Sequence, residues 1–101
     1  MRECLFCAIA EDSKNLVWEN EQFAAFRDLH PKAKTHLLVI PKEHIDTLDD
    51  LEHDHIASGL IRAVREVASS NGLKGRYRVQ INVGRLGGQE IDHLHVHLLA
   101  D

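Results

Sequence analysis

Residues 87–101 read GGQEIDHLHVHLLAD, and the segment DHLHVHLLA (residues 92–100) within them decides how the chain is built. His93, His95 and His97 stand at spacing two, with Leu94, Val96 and Leu98 in register with them. In an extended chain successive side chains point to opposite faces, so the imidazoles share one face and the apolar residues the other. The pattern predicts a strand anchored in a core on one side and displaying histidines on the other. On a straight strand neighbouring histidines lie about 7 Å apart, and His93 and His97 roughly 13 Å. With Zn–N bonds of about 2 Å, one zinc ion is not expected to take all three. A row of imidazoles suits a division of labour between a nucleophile, a hydrogen-bond donor and an orienting group, each within the range of histidine near neutral pH. A solvated histidine strand is the plain alternative.

The surroundings of the row favour chemistry. Gly84, Gly87, Gly88 and Gln89 precede it, and Asn82 lies on the polar face of RYRVQINV (residues 76–83). Glycines allow backbone N–H groups to approach an anion closely, and Asn82 and Gln89 add neutral donors. Alone such a segment is a hairpin loop; beside three histidines it reads as a phosphate cradle.

Working outward, RYRVQINV alternates, with Tyr77, Val79, Ile81 and Val83 on one face, and predicts a strand. Residues 52–71 carry one apolar stripe, Ile56, Leu60, Ala63, Val64, Val67 and Ala68, and predict the one long helix. Asp49, Asp50 and Glu52 suit its positive end, and Asn71-Gly72 stops it. NLVWE and FAAFRDL predict two strands around a turn at NEQ, HPKAK a loop, and THLLVIP a buried strand ended by Pro41. LFCAIA predicts a short N-terminal helix or turn. The order β-β-β-α-β-β with hairpin-length connections predicts an α+β domain over residues 1–101. It would have a largely antiparallel five-stranded sheet, with its helices to one side.

Composition excludes several classes. The 101 residues suit one domain, and a net charge of −4 argues against a nucleic-acid polymer or an anionic membrane as partner. No apolar run approaches the roughly 20 residues of a membrane span. MRECLFCAIAEDS has a short apolar run with Glu3 before it and Glu11-Asp12 after it, unlike a secretory signal, so a cytoplasmic location is expected. Cys4 and Cys7 form a C-x-x-C unit with three readings: a redox pair, half of a zinc site, or buried thiols. A redox motif normally follows a strand, which is lacking here. Zinc needs two further ligands, for which His44 and His93 are candidates, and a site with four protein ligands would be structural.

GGQEIDHLHVHLL resembles the signature of the histidine triad (HIT) superfamily. AFRDLHPKAKTHLLVIPKEHI is similar to the family's first strands and their loop, and INVGRLGGQE to its phosphate loop. The similarity runs over nearly the whole chain and is greatest to the histidine triad nucleotide-binding branch. The resemblance implies a HIT-like fold and a hydrolase of nucleoside 5′-phosphoramidates or related nucleotidyl compounds. His95 would be the nucleophile, forming a nucleotidyl-histidine intermediate, with a backbone carbonyl fixing its tautomer. His97 would hydrogen-bond the phosphate and the bridging atom, with His36 a further histidine at the site. Asn82, Gly88 and Gln89 match phosphate-binding groups, and Asp28 the ribose-binding acid. Phe6, Ile9, Leu29 and Leu38 match a pocket that grips a purine base by packing. Zinc-containing bacterial relatives close a Cys₂His₂ site at positions matching Cys4, Cys7, His44 and His93. The family also implies a homodimer, for which the helix 52–71 and the fifth strand are candidate contacts.

Two departures bear on function. Many members have serine after the glutamine, where this chain has Glu90; a carboxylate there repels phosphate unless turned away. Relatives usually continue past the triad with a tail near the leaving-group side, so the leaving group is left open. His97, where the nucleotidyltransferase branch has glutamine, favours hydrolysis. A dinucleoside polyphosphate hydrolase shares the nucleophile and differs in the leaving group. A nucleotide-binding or zinc-stabilised interaction module with little turnover is the non-enzymatic alternative.

Overall fold

The structure is a computed structural model that describes residues 4–101; Met1–Glu3, part of the stretch read against a secretory signal, lie outside the described residues. The apolar stripe of the long helix is realised residue for residue. Helix α2 (Asp54–Ser70) buries Ile56, Leu60, Ala63, Val64, Val67 and Ala68. It ends in a Schellman motif: Leu73 N–H donates to Ala68 O (2.8 Å) and Gly72 N–H to Ser69 O (3.2 Å). That turn needs a left-handed residue, supplied by Gly72 at φ 73°. Asp49 and Asp50, expected at the helix start, instead belong to a separate 3-10 turn (Leu48–Asp50) closed by a Thr47–Asp50 capping box.

Strands β1 (Leu16–Glu19), β2 (Phe23–Arg27), β3 (Thr35–Pro41), β4 (Arg78–Gln80) and β5 (Val96–Ala100) form one antiparallel sheet in the order β1-β2-β3-β5-β4. The final strand is therefore interior, hydrogen-bonded to β3 and β4 on its two sides. This corrects the expectation that it offers a dimer contact; β4 is the edge. Strand β4 is also shorter than RYRVQINV suggested. Its three residues are exposed, Val79 at 48%, while α2 packs chiefly on β2, β3 and β5.

The helices lie on opposite faces of the sheet, not on one side as the element order suggested. Phe23 and Ala25 of β2, Leu37 and Val39 of β3, and Leu94, Val96, Leu98 and Ala100 pack beneath α2. Ala24, Phe26, Leu38 and Ile40 face the other way and pack with Phe6 and Ile9 of the short helix α1 (Leu5–Glu11). Both faces of β2 and β3 are covered, which is why FAAF and LLVI read as continuous apolar runs. Among the described residues no helix is long and apolar enough to cross a membrane.

Residues 92–95 stand outside the β5 ladder. Leu94 N–H donates to Ile45 O (2.6 Å), so the segment after β3 substitutes for a strand partner. The alternation survives regardless, since Leu94, Val96 and Leu98 all enter the α2-side core.

Helix and sheet meet closely at Gly59, where an added Cβ would lie 2.7 Å from the ring edge of Phe23, itself 2% exposed. Alanine gains about 1 kcal/mol of helix propensity, but overpacking a full core costs about 1–3 kcal/mol. Gly59→Ala is expected to be less stable by about 1 kcal/mol, read as a lower urea midpoint at unchanged m value.

Candidate active site

The face of the sheet that α1 leaves partly open forms a cleft of about 370 Å³, within the roughly 300–1,000 Å³ usual for small-molecule sites. His95, His97 and His36 line it, with Asp28, Asn82, Gly88, Phe6, Ile9, Leu29 and Leu38. Phe26, Ile91, Arg27 and Lys32, among other residues not singled out from the sequence, also line it. Phe26 was legible in principle, because period-two alternation places it opposite Phe23 on the α1 side. Leu29 is 74% exposed and stands at the rim.

The hydrogen bonds fix the tautomers of the neutral rings. His95 Nδ1–H donates to the carbonyl of His93 at 2.7 Å, which leaves the Nε2 lone pair free. The Phe6 ring meets the His95 ring edge to face at 5.1 Å and 90°, restricting its rotation. Lys32 N–H donates to His36 Nδ1 at 3.1 Å, so the His36 proton sits on Nε2. That N–H donates to His97 Nδ1 at 2.9 Å, with Asp28 Oδ2 at 3.4 Å. The proton of His97 is thereby placed on Nε2, a buried atom with no hydrogen-bond partner among the described residues. His97 presents a donor beside the acceptor nitrogen of His95, the two rings 5.0 Å apart. An unpaired buried donor costs about 1–3 kcal/mol, which a ligand acceptor removes.

Burial lowers the pKa of His97 to about 4, helped by the neighbouring His95 and His36 rings and opposed by Asp28. His97 thus stays a neutral donor at neutral pH. Asp28 shares its carboxylate between two tasks: Oδ1 accepts from His30 N–H (2.8 Å) in a turn, and Oδ2 faces His36.

In the glycine loop, Gly88 takes φ 90° and lies against the amide of Asn82. Asn82 Oδ1 accepts from Gln80 Nε2 (3.0 Å), which turns its NH₂ toward the loop. Gln89 is placed differently from the expectation. It is buried, does not line the cleft, and spends its amide on backbone: Oε1 accepts from Gly84 N–H (2.9 Å), and Nε2 donates to Asp46 O (2.7 Å) and Ile91 O (2.9 Å). Buried amides must satisfy their donors, so Gln89 closes the loop and offers nothing to a ligand. Arg85, not singled out from the sequence, clamps the same loop by donating to Gln89 O, Glu90 O and Asp92 Oδ2.

His93 does not face the cleft. It turns into a cluster with Cys4, Cys7 and His44 whose donor atoms lie within 4.8 Å of one another. His93 Nε2–H donates to Pro41 O (2.8 Å) and His44 Nε2–H to Asp46 Oδ1 (2.7 Å), so both rings aim bare Nδ1 atoms at the thiols. The Sγ···Nδ1 separations are 3.3 Å for Cys4–His93, 3.3 Å for Cys7–His44 and 3.5 Å for Cys7–His93. A tetrahedral ion with bonds of about 2.3 Å to sulfur and 2.0–2.1 Å to nitrogen spaces such ligands by about 3.5 Å, so this donor set fits a metal. Asp46 was missed, although His44 and Asp46 stand at the spacing that shares a face in extended chain. Burial lowers the pKa of His93, which favours the bare nitrogen that a metal requires.

The His97 assignment is open to imidazole ¹⁵N spectra recorded against pH. The ring is expected as the Nε2–H tautomer from pH 7.5 to 5.5, taking up its second proton only near pH 4. A midpoint near the ordinary 6.5 would contradict the burial that lowers it.

Comparison with known proteins agrees with this geometry. The HIT domain family model matches residues 10–101. Protein HitA of Neisseria gonorrhoeae is 39% identical, covering 99% of this chain and 97% of that protein. The purine nucleoside phosphoramidase of Escherichia coli (strain K12) is 37% identical, covering 89% of this chain and 78% of that protein. Among solved structures, a histidine triad protein from Clostridium difficile superposes with a TM-score of 0.88 at 38% identity, covering 100% and 94% of the two chains. The HIT family hydrolase from Legionella pneumophila Philadelphia 1 gives 0.86 at 40% identity, covering 97% and 92%. The chain belongs to the HIT domain family.

Proposed function

We propose that the protein hydrolyses nucleoside 5′-phosphoramidates, or related nucleotidyl compounds, at the α-phosphate. The observation that carries the reading is the His95 ring: its Nδ1–H is held by the His93 carbonyl, which leaves Nε2 free, and the ring lines the cleft 5.0 Å from that of His97, whose Nε2–H has no partner among the described residues. The similarity to a protein named purine nucleoside phosphoramidase supports the same substrate class.

In the first step His95 Nε2 attacks phosphorus, the bond from phosphorus to the leaving amine breaks, and the amine takes up one proton from solvent. In the second, water attacks phosphorus, the P–Nε2 bond breaks, and the nucleoside monophosphate leaves with release of one proton. Covalent catalysis divides one difficult displacement into two easier ones. The cation formed on the substituted ring is met by the His93 carbonyl. His97 donates to a non-bridging or bridging atom, and the Asn82 amide with the N–H groups around Gly88 meets charge on the phosphoryl oxygens. Asp28 would accept from ribose hydroxyls, and Phe6, Phe26, Leu38, Ile9 and Leu29 would pack on a purine.

The same reading assigns zinc to Cys4, Cys7, His44 and His93. With four protein ligands it would be structural, tying α1 and the segment after β3 to the residue whose carbonyl holds His95. The protein would act as a homodimer, for which the exposed β4 edge supplies unpaired backbone.

Incubation with adenosine 5′-phosphoramidate is expected to yield AMP, with mass spectrometry of rapidly quenched enzyme detecting one nucleotidyl group. His95→Ala should lose at least about a thousandfold in kcat and all of the adduct; turnover surviving in that variant would remove the covalent route. For the metal, Asp46→Asn removes the carboxylate that orients His44. It should weaken zinc binding about 10–100-fold in competition with a chromophoric chelator.

A further inference from the structure

We propose that Glu90 makes the site select leaving amines that carry a positive charge. The inference rests on the hydrolytic reading above and adds to it the charge of the group expelled.

The catalytic cleft runs on into a second one lined by His44, Asp46, Arg85 and Asp92, the two sharing Leu5, Glu90 and Ile91. A leaving group that extends from the catalytic cleft into the second one passes Glu90, which lines both. Glu90 is exposed and forms no ion pair among the described residues. The nearest cation along the loop is already engaged, since the Arg85 guanidinium is spent on two loop carbonyls and on Asp92. Farther along, Asp92 is paired with Arg85 and Asp46 accepts from His44, which leaves the Glu90 carboxylate to set the charge where the two clefts meet. The cleft's other cations, Arg27 and Lys32, flank Asp28 at the nucleoside end.

A carboxylate beside a transferring phosphoryl group is unfavourable unless the substrate brings a compensating charge. An ammonium on the departing amine supplies it, whereas a polyphosphate or acidic leaving group adds repulsion. The feature therefore separates the two enzymatic readings left open by the sequence, in favour of amine leaving groups. Because Glu90 is exposed, the preference is expected to be roughly fivefold rather than absolute, and to shrink in salt.

The test compares kcat/KM for adenosine 5′-phosphoramidates of diaminopropane, propylamine and β-alanine, with diadenosine tetraphosphate as the polyanionic case. Comparing each ratio between wild type and Glu90→Gln cancels the intrinsic reactivity of the amines. The wild type should prefer the cationic over the anionic amide by at least about fivefold more than Glu90→Gln does. Glu90→Lys should reverse the order, and diadenosine tetraphosphate should gain in both variants. Equal cationic-to-anionic ratios in the wild type and Glu90→Gln, with all enzymes active, would overturn the role of Glu90 alone. Absence of turnover with every compound would overturn the hydrolytic reading, and this inference with it.

Discussion

The hydrogen bond from His95 Nδ1 to the backbone carbonyl of His93 is the constraint on which the candidate site depends. A neutral imidazole has two nitrogens of opposite character, and only a fixed partner on one makes the other dependable. Here the partner is main chain, so the aim of the ring is set by the path of residues 93–95. That path is itself fixed at three points: Leu94 N–H bonds to Ile45, the Leu94 side chain is buried beneath α2, and the His93 ring is enclosed between Pro41 and the two thiols. His93 contributes nothing to the cleft directly. Its side chain belongs to the metal-type cluster and its carbonyl to the His95 ring, so a single residue joins the two centres.

The second ring works by a different route. His97 is made a donor by a chain of tautomers beginning at the Lys32 N–H and passing through His36. Desolvation keeps it uncharged. A neutral N–H could meet charge on a ligand without the large cost of burying an ion. The folded state holds a His97 that resists protonation, while the unfolded ring binds a proton near 6.5. Its contribution to stability is therefore complete above that pH and is lost as pH falls toward about 4.

The primary structure carried much of this, and the reasons for the gaps are physical. Side-chain periodicity is local, so the α2 stripe and the sharing of Leu94, Val96 and Leu98 between loop and strand could be read directly. The placement of α1 on the opposite face could have been read from the unbroken apolar runs of β2 and β3, which imply cover on both sides. Three features lay outside any local pattern. Gln89 looks like a donor for phosphate but satisfies backbone groups of Gly84, Asp46 and Ile91, a matter of loop closure. The Lys32 contribution is a backbone N–H, silent in side-chain identity. The third is that the His93 ring, on the same face as its neighbours, is taken up by Cys4, Cys7 and His44 instead of the cleft, a contact set by residues far away in the chain.

The interior position of β5 has a consequence for how the molecule comes into being. The strand closest to the carboxyl end lies in the middle of the sheet, and its partners β3 and α1 precede it by most of the chain: His36 meets His97 across 61 residues, and Cys4 meets His93 across 89. Contacts of such separation form late, because loop closure must precede any gain from them. Until residues 96–100 have been made, β3 is paired on its β2 side alone. The metal-type cluster cannot close before residue 93 has been made, nor the histidine pair of the cleft before residue 97.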